Sequence, residues 1–231
     1  GRPYGQVVRE EYNPGTLSME FAGAGMNICR NLRAVGAVVN LFSVAGDGLP
    51  GRAALIELDR IGVDTKDFLL LEGRDTAMSL EIRNIVEELE MAFGNKDVGE
   101  KMDAEFFEHR LETLREADLL VCDASCSPAG WRVLLEERKD VPLVVDPDSV
   151  EPDRIKEGDL ALIDTLVPNR REAEIISGLQ ILSEDELMTA GEWFIDRGVK
   201  RIFITLAGGG VYCREGVEAH ILRPEEGVVA S

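Results

Sequence analysis

The sequence predicts an α/β fold, with helices on both faces of a mostly parallel central sheet and a small second β-sheet attached. Three features predict it. Short apolar, β-rich runs alternate with amphipathic helical segments along most of the chain. Several of those runs end in Asp or turn residues (Asp123, Asp146, Pro168-Asn169, Ala207-Gly208), the end at which open parallel sheets bind ligands. One internal stretch instead alternates apolar and polar residues, which gives each strand a wet face and a dry face.

In chain order, small residues from Gly23 followed by Ile28, Leu32 and Val35 predict a helix over Gly23–Arg33. Val38–Val44 reads as a short strand, punctuated by Gly46-Asp47-Gly48. Pro50–Ile61 reads as a helix with Ala54, Leu55, Leu58 and Ile61 on one face. The amphipathic segments Gln6–Val8 and Leu17–Phe21 join Met78–Ile82 and Leu89–Phe93 as strands of a small sheet, within about 5–21 and 68–98. Such a sheet is either a cover over a ligand or an ordinary edge hairpin. Beyond Asp103 the pattern predicts helix Ala104–Arg115, strand Leu119–Asp123, helix Pro128–Arg138 and strand Leu143–Asp146. Strand Leu160–Val167, helices Arg170–Ile176 and Glu184–Arg197, and strands Ile202–Leu206 and Val211–Arg214 follow.

Charge narrows the function. With 25 Lys or Arg against 44 Asp or Glu in 231 residues, the net charge is 25 − 44 = −19. A surface that acidic repels phosphate backbones and anionic membrane faces, so neither nucleic acid nor membrane is an expected partner. A single nucleotide remains compatible, because backbone amides, helix N-termini and Mg²⁺ act locally. No apolar run reaches the roughly 18 residues of a membrane span. Cys29, Cys122, Cys126 and Cys213 lack structural-zinc spacing and read as buried, reduced thiols of a cytoplasmic protein. Two histidines, His109 and His220, leave little material for a Ser-His-Asp triad.

Three motifs carry candidate chemistry. Ala22-Gly23-Ala24-Gly25-Met26-Asn27 lets backbone approach a polar ligand, with Asn27 as a two-way hydrogen-bonding group; a packing turn explains the glycines equally well. Ile28 stands where a dinucleotide fingerprint needs a small residue. Pro168-Asn169-Arg170-Arg171-Glu172 opens a helix, and its Asn and Glu either cap that helix or hold a hydrated cation. Thr205-Leu206-Ala207-Gly208-Gly209-Gly210-Val211 leads a strand into a glycine-rich turn.

The run Gly23, Gly25, Asn27, Gly36, Gly46 resembles the first signature of the ribokinase-like (PfkB) carbohydrate and nucleoside kinases, with Cys29 where the family has Ser, Thr or Ala. Asn169 and Glu172 match the family's Asn-x-x-Glu motif. Thr205, Gly210 and Val211 match its Thr-Leu-Gly-x-x-Gly-Val turn, with Ala207 replacing the first glycine. A left-handed backbone at residue 207 costs an alanine about 1 kcal/mol, so the turn is expected to shift by a residue.

The resemblance implies ATP-dependent phosphorylation of a sugar or nucleoside hydroxyl. In it Gly23, Gly25 and Asn27 bind the acceptor, and Asn169, Thr205, Gly208 and Gly210 bind the nucleotide. Glu172 arranges Mg²⁺ through water, and the Phe68–Val98 strands form the lid. Within the family, Gly1-Arg2-Pro3, Asn95-Lys96-Asp97-Val98 and the segment from Val145 to Val150 look most like pseudouridine kinases. The lid sheet also leaves room for a homodimer. Asp123 is either a substrate contact or the cap of the helix starting near Pro128. The resemblance places the catalytic base in a Gly-Ala-Gly-Asp motif expected beyond Ser231, and a substrate-binding Asp before Gly1. The expectation is therefore one ribokinase-like domain, 1–231, incomplete at both ends, with no catalytic residue of its own. The alternatives are a sugar- or nucleoside-binding sensor without the base, or an NAD-dependent dehydrogenase built on Gly23-x-Gly25.

Overall fold

The alternation of helix and strand is borne out over most of the chain. A computed structural model describes residues 2–4, 11–84, 89–95, 97–147 and 154–224. They belong to two compact units, residues 1–101 and 102–231.

In the first unit β1 (Arg2–Pro3) pairs antiparallel with β2 (Gly15–Thr16). The strand expected over Leu17–Phe21 does not form: Leu17 is 89% exposed and pairs with no strand. The one expected over Gln6–Val8 lies outside the described residues. Helix α1 (Ala24–Ala34) is fastened at both ends by arginine. Arg30 donates to the Phe21 carbonyl at 2.8 Å, and Arg33 to the carbonyls of Ala37 and Ile61. Cys29, Val39, Leu58 and Val63 form the core beneath it. Burial pushes the Cys29 thiol up to about 11, so it stays protonated and packs as a small hydrophobe.

Strands β3 (Ser43–Gly46) and β4 (Phe68–Leu71) pair in parallel across helix α2 (Leu49–Arg60). The strand expected from Val38 starts five residues later because Val38 faces solvent, 96% exposed, and Asn40 makes only a single bridge to Asp64. Gly46 is obligatory at the end of β3: a Cβ there would lie 2.0 Å from the Arg74 carbonyl oxygen. The alternating stretch is an antiparallel hairpin, β5 (Met78–Arg83) with β6 (Leu89–Asn95), pairing Leu80 with Phe93 and Ile82 with Met91. Cross-strand partners share a face. Met78, Leu80, Met91 and Phe93 therefore line one apolar side, each about half exposed.

In the second unit, helices α3 (Ala104–Glu108) and α4 (Leu111–Arg115) replace the single helix expected over Ala104–Arg115. The break has a local cause. The Arg110 guanidinium takes the Phe106 carbonyl at 2.8 Å and lies over the Phe106 ring, while the Arg110 amide bonds Phe107 instead. Strand β7 (Leu120–Cys122) leads to helix α5 (Pro128–Glu137), β8 (Leu143–Val145), β9 (Thr165–Leu166), helices α6 (Arg170–Ser177) and α7 (Glu184–Asp196), β10 (Arg201–Thr205), β11 (Val211–Glu215) and β12 (Glu218–Leu222). These strands form one six-stranded sheet, ordered β12-β11-β10-β9-β8-β7. β7 to β10 run parallel; β11 and β12 add an antiparallel edge.

The long strand expected over Leu160–Val167 shrinks to β9, because Glu157–Leu162 forms a 3-10 turn. Asp159 holds that turn, accepting from the Lys156 amide, the Trp131 indole and Arg132. Next to it Asp164 accepts from the Leu143 amide at 2.8 Å, while its own amide donates to the Leu143 carbonyl. A carboxylate thereby extends the β8–β9 ladder. Arg138, buried, and Lys200 complete its coordination. Burial alone would raise the Asp164 carboxyl. The hydrogen bonds from Lys200 and Leu143 and the charge of Arg138 outweigh it and hold the group below the usual carboxylate range.

Asp164→Asn removes a buried ion-pair partner of Arg138 and should cost about 3 kcal/mol in urea denaturation. A depressed carboxyl contributes stability above its unfolded pKa and loses it as pH falls through the folded one. The variant should therefore also flatten the loss of stability below about pH 4.

Tyr212 gives the opposite sign. It is fully buried on β11, its hydroxyl has no hydrogen-bond partner among the described residues, and it packs where a Cβ on Gly191 of α7 would stand. Tyr212→Phe removes that unmatched hydroxyl and should raise stability by about 1 kcal/mol, read from the same denaturation curves.

Candidate functional site

The candidate residues fall into two groups, one in each unit. In the first unit, Gly23 (φ 106°, ψ 154°) is the N-cap of α1 and uses no side chain to cap it. The Asn27 amide closes the first turn onto the Gly23 carbonyl at 3.1 Å. Gly23 and Asn27 are exposed, and the Asn27 side chain bonds no described residue. A Cβ on Gly23 or Gly25 would meet nothing within 4 Å. The two glycines and the asparagine therefore form an open helix start with free donors and acceptors. No strand precedes Gly23 over residues 17–22, so the context of a dinucleotide fingerprint is missing. Asp47, farther along, accepts from the Gly73 amide at 3.2 Å.

In the second unit the structure brings Asn169, Glu172 and the Thr205–Gly210 turn together at the C-terminal ends of β9 and β10. Asn169 forms a parallel bridge with Thr205, and the Thr205 amide donates to the Pro168 carbonyl at 2.9 Å. Asn169 is the N-cap of α6, and its Oδ1 accepts from the Glu172 amide at 2.9 Å. Glu172 answers: its Oε2 accepts from the Asn169 amide at 2.8 Å and its Oε1 from Asn169 Nδ2. This is a complete capping box, and Glu172 is 4% exposed inside it.

The turn departs from expectation. Ala207 itself takes the left-handed conformation, φ 49°, so the register of the turn is not shifted. The strain of a non-glycine residue there, about 1 kcal/mol, is retained. Gly210 (φ 98°) is the position that tolerates nothing else: a Cβ would sit 2.0 Å from the Leu222 carbonyl oxygen of β12. Gly208 is exposed with open space around it.

The remaining candidates resolve simply. Ser127, not Asp123, caps α5, accepting from the Gly130 amide at 3.1 Å. Asp123 Oδ1 instead binds the amide and hydroxyl of Ser125. All four cysteines are free; a hydrogen bond with Cys126 and then burial raise the Cys122 thiol well above its usual value. The Asp146 amide donates to the Cys122 carbonyl at 2.9 Å, while Asp148 and Lys96 lie outside the described residues.

Mg²⁺ takes oxygen ligands and usually keeps several waters. Among the described residues no three His, Cys, Asp or Glu side chains gather to hold a metal ion. Glu172 fits contact through water: each carboxylate oxygen takes one hydrogen bond from Asn169 and retains a second lone pair. No described helix is long and apolar enough to cross a membrane.

Fold and site together define a ribokinase-like scaffold. The chain belongs to the pfkB family carbohydrate kinases, whose pattern it matches over residues 4–230. It is 28% identical to the pseudouridine kinase of Escherichia coli over 200 residues, covering 87% of this chain and 64% of that enzyme. A structure described as a sugar kinase from Clostridium perfringens superposes with a TM-score of 0.79 at 27% identity, covering all of this chain and 73% of that one. The ribokinase of Arabidopsis thaliana, solved with ribose and ATP, shares the fold with a TM-score of 0.80 at 16% identity, over 96% and 73% of the two chains.

Asn169→Ala removes the cap acceptor and the Nδ2 donor to Glu172, leaving the main-chain amide of residue 169 to donate to that carboxylate. It should lower stability by about 1–2 kcal/mol in thermal or urea unfolding.

Proposed function

We propose that the complete protein transfers the γ-phosphoryl group of ATP to a hydroxyl of a sugar or nucleoside, with pseudouridine the favoured acceptor. The observation that carries this reading is the joining of the Asn169–Glu172 box to the Thr205–Gly210 turn at the ends of adjacent parallel strands. Asn169, Thr205, Gly208 and Gly210 border the nucleotide, and Glu172 orders the water shell of Mg²⁺ beside its phosphates. Gly23, Gly25 and Asn27 orient the acceptor. Catalysis in such a site is positioning and charge stabilisation, with an aspartate supplied from beyond Ser231 as base. The likeness to pseudouridine kinase supports the choice of acceptor, and the Arabidopsis ribokinase complex supports ATP.

The apolar side of the β5–β6 hairpin supports a lid over the acceptor, and a homodimer formed through that same sheet. The four free thiols suit a reducing, cytoplasmic compartment.

The test is ADP release by the complete protein across pseudouridine, ribose, adenosine, fructose phosphates and ketodeoxygluconate. Turnover with pseudouridine above the others is expected; no ADP release with any acceptor refutes the kinase. Glu172→Gln should lower Mg²⁺-dependent kcat by roughly 10²-fold, as loss of a group that orders transition-state charge does. Unchanged turnover would remove Glu172 from the mechanism.

A further inference from the structure

The turn that leaves β7 carries a pair of thiols that neither the capping box nor the 205–210 turn uses. Cys122 ends β7, and Cys126 stands immediately before Ser127, the N-cap of α5. Both ends of this turn are fixed. Cys122 is held in the sheet, in register with Val145, and its carbonyl accepts from the Asp146 amide at 2.9 Å. At the other end the Ser127 amide donates to the Met102 carbonyl at 3.1 Å, and the Ser127 hydroxyl accepts from the Gly130 amide. Between them Ala124, buried, takes the left-handed conformation at φ 56°. That bend folds the chain back on itself. The Ala124 amide donates to Cys122 Sγ at 3.3 Å, and the two thiols are hydrogen-bonded to each other.

The other two cysteines differ. Cys29 packs in the core beneath α1, and Cys213 lies opposite His220 on the edge strands; burial is what raises each of those thiols. In the pair, Cys126 is 2% exposed while Cys122 is half-buried, so a reagent reaches Cys122 first.

We infer that Cys122 and Cys126 are a redox-active dithiol, closed to an intramolecular disulfide by exchange with a low-molecular-weight disulfide such as oxidised glutathione. The Cys122 thiolate attacks one sulfur of the reagent, forming a mixed disulfide and releasing one glutathione. The Cys126 thiolate then attacks Cys122 Sγ, closing the ring and releasing the second glutathione. Two protein thiols are oxidised, one disulfide is reduced to two thiols, and the two protons pass to the departing thiolates. The hydrogen bond from Cys126 and burial hold the Cys122 thiol well above its usual value. The first attack is therefore slow, and the reduced form gains none of the thiolate stabilisation that makes a disulfide strongly oxidising. Disulfides of reducing compartments are commonly transient and redox-sensing. This one would close around Asp123 and Ala124 at the C-terminal end of β7, the edge of the parallel strands that also carries the Asn169–Glu172 box. The inference stands apart from the kinase reading, which enters only through one readout.

The complete, native protein is incubated with oxidised glutathione, remaining thiols are blocked with iodoacetamide under denaturing conditions, and the digest is mapped by mass spectrometry. ADP release is read before oxidation, after it, and again after dithiothreitol. A Cys122–Cys126 linkage two hydrogen atoms lighter than the dithiol is expected, with Cys29 and Cys213 still alkylated. Turnover should fall roughly tenfold, as small displacements near a site do, and dithiothreitol should restore it. Cys126→Ala should stop at the glutathione adduct of Cys122, and Cys122→Ala should leave Cys126 unmodified. Both thiols alkylated after oxidation, or a linkage to any other cysteine, overturns the pair. Complete linkage with unchanged turnover overturns its control of activity. A parent without turnover on any acceptor refutes the kinase, and the mapped linkage alone then decides the pair.

Discussion

A strand of two residues holds the second unit in register. β9, Thr165–Leu166, lies between β8 and β10, and Leu166 is fully buried. Two ladder residues are too few to define a register firmly, and a slip of one residue would turn Leu166 to the wrong face. The chain supplies the missing constraint at both ends of the strand. Before it, the Asp164 carboxylate takes the Leu143 amide as a further rung and draws in Arg138 and Lys200. After it, the Pro168 carbonyl takes the Thr205 amide, and Asn169 bridges to Thr205. The start of α6 and the 205–210 turn are consequently set relative to each other by backbone bonds, before any side chain of the site is considered.

The Asn169–Glu172 box serves structure, and on the proposed reading it serves chemistry with the same atoms. A buried carboxylate with no partner would carry a large desolvation cost. Here both oxygens are bonded by Asn169, and the carboxylate lies within the first turn of α6, where the helix dipole favours negative charge. A charge stabilised in that way is available to a cation without further reorganisation. The observed helix cap and the proposed cation-ordering role do not compete. The cap is what holds the carboxylate in place.

Much of this was legible in the sequence, and the exceptions share a cause. Helices α1, α2, α5, α6 and α7 follow from periodicity to within a residue or two, as does the β5–β6 hairpin. The motif residues Asn169, Glu172, Thr205 and Gly210 come together as the family resemblance implied. The misses are places where a side chain competes with the backbone pattern. Arg110 interrupts an otherwise amphipathic helix by taking the Phe106 carbonyl, and Asp159 folds Glu157–Leu162 into a turn although Leu160 and Leu162 read as strand. Strand β12 was missed because Glu218–Leu222 lies at the sheet edge, with an outward face of Glu218, His220 and Leu222 that gives little apolar signal. At residue 207 the cost of a left-handed alanine argued for a shifted turn. The bonds from Gly210 and Gly209 to residues 207 and 206 hold it in place instead.

The acidic charge reads differently beside this geometry. A net charge of −19 opposes any polyanion over distance, but physiological salt screens such fields beyond about 8 Å. What a bound nucleotide would meet is set within a few ångströms. The groups exposed at the end of β10 include the main-chain amides of Ala207 and Gly208, which carry no formal charge and are counted in no composition. Arg170 and Arg171, exposed in the first turn of α6, have no carboxylate partner among the described residues, although acidic residues outnumber basic ones in the chain. A positive charge at a helix N-terminus opposes the dipole there. Amides and arginines together make one locally electropositive end on an acidic protein.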